Sequence, residues 1–369
     1  MRAFSFFWVT LFASRLLAAE LPPTLKIGAS APPFRLPGVD GKTHQLKDFA
    51  RAKILIVLFT CNHCPTAQYY EERIKQLVND YRPKGVALIA ISPNDPKSVR
   101  LDELGYTDLS DSFAEMKIRA KYKQYNFPYL YDGDREEVSK AYGPVATPHA
   151  FVFDAERKLC YAGRIDDSER EEYVKTHDLR DALDSLVAGK EVAVKETKTF
   201  GCSIKWGGKS EAVQAYMDKL AAAPVSVAKI DAKGLAALRK NDSEKLRLVN
   251  FWSLECGPCI IEFPDLVTID RMYRHRAFEF VSVATNFPDQ EKGVLQFLKK
   301  NQSSSRNYLF GDTDKYKLVE AFDPKWNAGL PYTLLIAPGG EVLYKADGPV
   351  DSLALKRAIV KALKEDRFK

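Results

Sequence analysis

Cysteine is scarce in this chain, with six residues among 369. So low a content excludes a small fold that is held together mainly by disulfides. A strong excess of one charge is also lacking, because 55 basic residues face 49 acidic ones and both are spread along the chain. This balance gives no indication of a nucleic-acid partner. The apolar content of 46% is ordinary for a globular protein and excludes a wholly disordered chain.

Long apolar runs are missing as well, since no stretch reaches the ~20 apolar residues that a membrane-spanning helix requires. The most apolar segment, residues 3–14, follows Arg2 and precedes the small residues Ala18 and Ala19. This layout predicts a secretory signal peptide at residues 1–19, with an uncleaved anchor as the alternative. We therefore expect an exported protein, periplasmic or secreted, without stable membrane insertion after cleavage.

Four of the six cysteines form two C-x-x-C pairs, Cys61/Cys64 and Cys256/Cys259. Each pair follows an apolar, β-branched run that predicts a buried strand, and each precedes a pattern that predicts a helix. Further along each half, a proline opens another apolar strand, at Pro148 and Pro331. The same unit thus occurs twice, and strands that alternate with helices favour an α/β fold.

The start of a helix suits a redox-active thiol. Unpaired backbone N–H groups and the helix dipole stabilise a thiolate there and lower its pKa. We expect the first cysteine of each pair to occupy this position and the second to attack the mixed disulfide. An X-Pro bond that faces the pair can be cis. The residues before the two prolines, Thr147 and Leu330, would then hold a partner's chain as an extended strand.

With these features the sequence resembles the thioredoxin superfamily, in two tandem copies of a fold whose central mixed β-sheet is flanked by helices. The second copy, at residues 225–369, is similar to exported thioredoxin-like reductases of the TlpA and ResA kind through the run FWSLECGPCIIEFPDL. This resemblance implies Cys256 as the nucleophile, Cys259 as the resolving thiol, Glu262 as an aid to proton transfer, Trp252 as a tuning residue, and Pro331 as the cis-proline.

The second copy also departs from the wider pattern. Asn250 stands where typical thioredoxins carry a buried aspartate, so the resemblance shifts proton transfer to Glu262. Glu255 directly precedes the first cysteine, and an adjacent carboxylate is expected to raise the pKa of Cys256.

The first copy, at residues 20–190, is similar to the redoxin branch, the peroxiredoxin-like (AhpC/TSA-like) proteins that carry a thioredoxin-type C-x-x-C. The runs CNHCPTAQYYEERI and TPHAFVFD carry this resemblance. It implies Cys61 as the nucleophile, Cys64 as the resolving thiol and Pro148 as the cis-proline. His63 matches a histidine that stabilises the thiolate in DsbA-type oxidases, which implies that the first domain is the more oxidising one. A connector at residues 191–224 joins the two copies.

Two other functions stay open for the first domain. One is a thiol peroxidase that the second domain recharges. Against it, the peroxiredoxin hallmark P-x-x-x-T/S-x-x-C is absent, because Ile54 and Leu58 stand at its proline and threonine positions when counted back from Cys61. The other is a client-binding or copper(I)-binding module, in which His63 and His149 join the thiols.

The two remaining cysteines have less definite roles. Cys160 lies in a predicted strand, where a free cysteine commonly acts as a small buried hydrophobic residue. Cys202 lies in the connector, and three interpretations stay open for it. It is a third redox thiol near the first pair, a partner of Cys160, or an inert thiol.

The sequence as a whole predicts an exported thiol–disulfide oxidoreductase with two C-x-x-C active sites. Its partners would be protein thiols and disulfides, together with an electron donor or acceptor that the sequence does not identify. We expect no metal and no cofactor besides the two redox-active disulfides. Two unlike motifs, CNHC and CGPC, suggest a relay of electrons between the domains.

Overall fold

The computed structural model describes residues 21–363, so the predicted signal peptide at residues 1–19 lies outside the described part. Within that part, no helix has the length and apolar character needed to cross a bilayer. The described chain forms two large sheets, one in each half, and each sheet is packed between helices and loops.

The first half contains these elements in chain order: β1 (Arg35–Pro37), β2 (Thr43–Gln45), β3 (Ile54–Phe59), α1 (Pro65–Tyr81), β4 (Val86–Ser92), α2 (Phe113–Lys123), β5 (Tyr129–Tyr131), α3 (Glu137–Tyr142), β6 (Ala146–Thr147), β7 (His149–Phe153), β8 (Leu159–Gly163) and α4 (Asp178–Val187). The connector adds β9 (Cys202–Ser203) and α5 (Ser210–Ala221).

The second half continues with β10 (Ala228–Ile230), α6 (Ala232–Lys240), β11 (Leu246–Trp252), α7 (Gly257–Tyr273), β12 (Phe278–Ala284), α8 (Glu291–Lys300), β13 (Arg306–Phe310), α9 (Lys315–Phe322), β14 (Tyr332–Ile336), β15 (Val342–Asp347) and α10 (Ser352–Leu363).

The two sheets share one arrangement of five strands. The first has the order β5-β4-β3-β7-β8, in which the pairs on the β4 side are parallel and those on the β7 side are antiparallel. The second has the order β10-β13-β12-β11-β14-β15, which repeats this pattern and adds β10 at one edge. The predicted mixed α/β fold is confirmed.

Strand β3 shows why the strand before each pair is buried. Its sequence ILIVLF is apolar throughout, as expected for a strand that is covered on both faces. Ile54, Ile56 and Leu58 pack on the side of α1, while Leu55, Val57 and Phe59 pack on the side of α3. Burying each of these side chains contributes about 1.5–3 kcal/mol. The strand is therefore a rigid base for the cysteines that follow it.

The two halves contact each other through the loop between β4 and α2. In this loop, Val99 and Leu104 pack into the apolar core that lies beneath α7 and α10. The hydroxyl of Tyr273, at the end of α7, donates to the carbonyl of Thr107 at 2.7 Å. Arg357 of α10 pairs with Asp108 at 3.1 Å. The loop between β4 and α2 therefore contacts the second half. Asp111, which follows in the same loop, contacts the loop of the first cysteine pair.

Candidate active sites

The first C-x-x-C pair lies in the loop between β3 and α1. Helix α1 begins at Pro65, and Cys64 is its N-cap, with Sγ accepting from the backbone N–H of Ala67 at 3.5 Å. We expected Cys61 at the helix start, and this placement is wrong by one turn. Proline fits the first helical position, where a backbone N–H would have no partner, so the helix begins after the second cysteine.

The two sulfurs of the first pair have different surroundings. Cys64 Sγ accepts from the backbone N–H groups of Ala67 and, at 3.3 Å, Cys202. Cys61 Sγ lies 3.2 Å from the hydroxyl of Thr147 and 3.5 Å from Nδ1 of His63. Both cysteines are buried, with exposures of 4% for Cys61 and 0% for Cys64.

This asymmetry separates the two pKa values. Burial raises the pKa of Cys64, but hydrogen bonds from the thiols of Cys202 and Cys61 and from the Ala67 N–H outweigh it, so the pKa lies well below its usual value. Burial, together with Cys64 and the charge of Asp111, raises the pKa of Cys61 well above its usual value. Of the two thiols, Cys64 is therefore the one whose ionisation is favoured.

His63 is held by an acidic residue from the loop between β4 and α2. Nδ1 of His63 lies 2.5 Å from Asp111 Oδ2, and both side chains are buried. The backbone N–H groups of Asn62 and His63 both donate to Asp111 Oδ1, at 2.8 and 3.0 Å. Asn94 donates to Oδ2 at 2.7 Å. Asp111 therefore fixes both the loop of the pair and the histidine inside it.

Sequence reasoning did not single out Asp111. It lies in the sequence Ser110-Asp111-Ser112, directly before α2, where Ser112 is the helix N-cap. Polar residues of this kind are typical of a helix start, so nothing in the local pattern indicates a partner for His63.

A metal-ligand arrangement is partly present at this site. Ligand atoms of Cys61, His63 and Asp111 lie within 4.8 Å of one another. His149, which we considered as a copper ligand, joins no group of three or more close ligating side chains within residues 21–363. Its Nδ1 accepts from the backbone N–H of Val145 at 3.3 Å, and burial lowers the pKa of His149 to about 4.

The peptide bonds Thr147–Pro148 and Leu330–Pro331 are both cis in the structure. Their surroundings differ between the halves. Strand β9 pairs antiparallel with β6, so that Cys202 lies opposite Thr147. No strand in the described part of the chain pairs with Leu330.

The second C-x-x-C pair forms a disulfide between Cys256 and Cys259, whose Cα atoms lie 5.3 Å apart. Cys256 is the N-cap of α7, and its Sγ accepts from the backbone N–H of Cys259 at 3.3 Å. Cys256 is half-buried, whereas its neighbours Gly257 and Pro258 are exposed. The first cysteine of this pair therefore lies at the helix start and is open to solvent.

Glu262 lies on the first turns of α7, one turn after Cys259. Its carboxylate accepts from the side chain of Asn250 at 3.1 Å and from the backbone N–H of Val350 at 2.8 Å. Burial raises the pKa of Glu262, although these two hydrogen bonds lower it. A raised pKa brings a carboxyl group closer to the pH at which it can both give and take a proton.

Trp252 ends β11, and Glu255 directly precedes Cys256. Trp252 is fully buried and packs against Phe263 and Phe297, with ring centroids 5.0 and 4.7 Å apart. Glu255 accepts hydrogen bonds from Asn286 and Gln290 at 2.9 and 2.8 Å. The Gln290 hydrogen bond is the main cause of the lowered pKa of Glu255.

Cys160 lies apart from these sites. It packs against the core of the first half, and its Sγ contacts the carbonyl of Lys158 at 3.4 Å and the carboxylate of Asp154 at 3.7 Å. Cys202 instead packs against the cluster of Cys61, Cys64 and Ala67. The structure therefore places Cys202 beside the first cysteine pair, the position that the first of the three interpretations requires.

Comparison with known proteins gives one family match, which lies in the first half, and several relatives. Residues 27–162 match the AhpC/TSA family. The thiol-disulfide oxidoreductase ResA of Bacillus thuringiensis subsp. konkukian is 27% identical over 155 residues, which cover 41% of this chain and 78% of that protein. The thiol:disulfide interchange protein CycY of Rhizobium leguminosarum bv. viciae is 29% identical over 128 residues, which cover 33% of this chain and 60% of that protein.

A solved structure is similar to about half of the chain. The uncharacterized conserved protein from Geobacillus kaustophilus is 38% identical, with coverage of 49% of this chain and 92% of that chain and a TM-score of 0.44. Together with the sequence relatives, the AhpC/TSA match confirms the predicted class: a thioredoxin-like enzyme of the thiol–disulfide oxidoreductase type, with a redoxin domain at residues 27–162.

Proposed function

We propose that this thiol–disulfide oxidoreductase is exported, uses both of its C-x-x-C pairs, and relays electrons between them. The observation that carries the proposal is that a helix N-terminus meets a cysteine in both halves. Ala67 N–H donates to Cys64 Sγ, and Cys259 N–H donates to Cys256 Sγ. Export is supported by the layout of residues 1–19.

In this proposal the second pair reacts with protein clients. In its reduced form, Cys256 would be the thiolate that attacks a client disulfide, because the helix N-terminus favours its charge. Cys259, which is 1% exposed, would then attack the mixed disulfide and release the client as a dithiol. Glu262 would take the proton of the resolving thiol and return it in the reverse reaction.

At the first pair we assign the roles in the opposite order to our expectation. Cys64 has the two backbone N–H donors, so it would carry the charge and open the exchange. Cys61, which faces Thr147 and His63, would be the resolving thiol. A protonated His63 beside this pair stabilises its reduced, charged form and makes it the more oxidising of the two.

The test is reduction of insulin disulfides by dithiothreitol, with the full chain as the catalyst. We expect Cys256→Ser/Cys259→Ser to lose most of the catalysed rate, with Cys160→Ser as a matched control that keeps it. The second double variant is Cys61→Ser/Cys64→Ser. Wild-type rates in both double variants would sink the proposal.

The relay has its own test. Reduction potentials of the two pairs, each measured in the double variant that lacks the other pair, should differ by at least ~30 mV, which is a tenfold change in equilibrium. Potentials within ~10 mV of each other would remove the thermodynamic reason for a directed relay.

A further inference from the structure

The connector contributes a strand to the first active site. We call residues 200–206, which contain β9, the connector strand. Its residue Cys202 pairs with Thr147 in antiparallel register, and the backbone N–H of Cys202 donates to Cys64 Sγ at 3.3 Å. An extended peptide that binds a protein by adding a strand makes contacts of this kind. The connector strand thus lies where an extended client chain would reach the first pair.

The connector strand is anchored along its length. The backbone of Lys205 exchanges two hydrogen bonds with the loop after β4, from its N–H to Asn94 Oδ1 and from Asp95 N–H to its carbonyl, both at 2.9 Å. Its ammonium pairs with Glu103 at 2.5 Å. Ile204 and Trp206 are buried, at 2% and 9% exposure. The strand is therefore an integral part of the site.

Gly201 allows the close approach of the connector strand. Its φ is +133°, and a Cβ atom at this position would overlap the carbonyl oxygen of Thr147. Glycine alone combines this backbone conformation with this contact. The approach brings the next residue, Cys202, against the cluster of Cys61, Cys64 and Ala67.

The three cysteines differ in how far solvent reaches them. Cys61 and Cys64 are buried, whereas Cys202 is half-buried and lies between the exposed residues Gly201 and Ser203. A thiol from outside therefore meets Cys202 before it can reach the buried pair.

We propose that Cys202 is a third exchanging thiol of the first site. The disulfide of the buried pair passes through it to thiols outside the site. The connector strand occupies the position of a client polypeptide. This proposal rests on the proposed redox function of the first pair. It assigns to Cys202 the position that a cysteine of a bound client would take.

The exchange needs no outside oxidant for its first step. Cys202, as a thiolate, attacks Cys64 Sγ of the Cys61–Cys64 disulfide. The Cys64–Cys202 bond forms, the Cys61–Cys64 bond breaks, and Cys61 leaves as a thiolate that takes up the proton lost by Cys202. One disulfide and one thiol are present before and after the step.

The second step transfers two electrons from a dithiol outside the site. One of its sulfurs attacks Cys202 Sγ, and Cys64 leaves as the thiolate that its N–H donors stabilise. The second sulfur of the dithiol then attacks the mixed disulfide and releases Cys202. The outside dithiol becomes a disulfide, and Cys64 and Cys202 end as thiols.

The experiment traps the intermediate in the full-length Cys61→Ser variant. The variant is oxidised with glutathione disulfide, its free thiols are alkylated, and its peptides are mapped without reduction by mass spectrometry. We expect a crosslinked peptide that joins Cys64 to Cys202. Recovery of alkylated Cys202 together with Cys64 that carries glutathione would overturn the proposal.

Two double variants complete this experiment. Cys61→Ser/Cys160→Ser should keep the crosslink, and Cys61→Ser/Cys202→Ser should replace it by glutathione on Cys64. A crosslink from Cys64 to Cys160 would contradict the assignment.

A kinetic measurement does not depend on the folding of the Cys61 variants. In Cys202→Ser, with the Cys61–Cys64 disulfide intact, reduction of the first pair by dithiothreitol should slow by at least about tenfold, which corresponds to about 1.4 kcal/mol. An unchanged rate counts against the relay through Cys202. The disulfide map requires no client. A Cys64–Cys202 crosslink in a protein that does not reduce insulin would therefore reject the proposed client reduction and leave the exchange through Cys202 standing.

Discussion

The carboxylate of Asp111 lies 2.5 Å from Nδ1 of His63, although 48 positions separate the two residues in the chain. Burial lowers the pKa of His63, but the Asp111 carboxylate outweighs it, so the pKa is raised above its usual value. The same nitrogen faces Cys61 Sγ at 3.5 Å. The Asp111 carboxylate thereby favours the charged form of His63 beside the first cysteine pair.

Replacing Asp111 by asparagine should weaken the first site. The neutral amide no longer favours a protonated His63, so we expect a lower pKa for His63 and a higher pKa for Cys64. The variant should also lose about 1–3 kcal/mol in free energy of unfolding, the range for leaving a buried hydrogen-bonding group without its partner. Thiolate absorbance against pH gives the pKa of Cys64, and denaturant unfolding gives the stability. Asp134→Asn, on an exposed residue, is the control, and equal shifts in both variants would refute the role of Asp111.

The raised pKa of His63 predicts how stability depends on pH. Because the folded-state pKa exceeds the unfolded value of ~6.5, the stabilisation is fully present below about pH 6.5 and is lost as the pH rises through the folded-state pKa. The advantage of the wild type over His63→Gln, measured as free energy of unfolding, should therefore shrink towards alkaline pH. An advantage that grows over the same range would contradict a protonated His63.

Glu262→Gln should separate stability from activity at the second site. The raised pKa of Glu262 means that its contribution to stability is largest below about pH 4.3 and falls as the pH rises through the folded-state pKa. At neutral pH the variant should be no less stable than the wild type. Its insulin reduction should nevertheless fall by at least about tenfold, because a positioned general acid–base group is lost. A variant with an unchanged rate, measured from about pH 6 to 8, would assign Glu262 a structural role only.

Gly201→Ala should displace the connector strand. The added methyl group overlaps the carbonyl of Thr147, and the backbone conformation costs a residue other than glycine about 1–3 kcal/mol. We expect a bulky maleimide to modify Cys64 faster than in the wild type. Gly208→Ala is the matched control in the same connector, because a Cβ there would have no atom within 4 Å. Equal modification rates in both variants would argue against the connector strand as a cover.

Tyr273→Phe should weaken the contact between the two halves. It removes the donor to the buried carbonyl of Thr107, so we expect a loss of about 1–3 kcal/mol in free energy of unfolding. Tyr316→Phe, at a residue that is 82% exposed, should change the stability by less than about 0.5 kcal/mol. Equal stability of the two variants would show that the hydroxyl of Tyr273 contributes nothing at the interface.

The sequence predicted most of the fold because apolar runs such as ILIVLF are direct indicators of buried strands. It predicted the buried strand before each pair and the helix after it, which the structure has as β3 and α1 in the first half and as β11 and α7 in the second. The site was predicted where its chemistry is local, as with Cys256 at the start of α7. Asp111 and the pairing of Cys202 with Thr147 join residues far apart in the chain, and no local pattern indicates such contacts.

The two motifs differ both in the position of proline and in which sulfur faces the amide groups of the helix. In CNHCP the proline follows the second cysteine and α1 starts there, whereas in CGPC it precedes the second cysteine and α7 starts a turn earlier relative to the pair. In CNHC the second sulfur therefore accepts from the helix N-terminus, and in CGPC the first sulfur does.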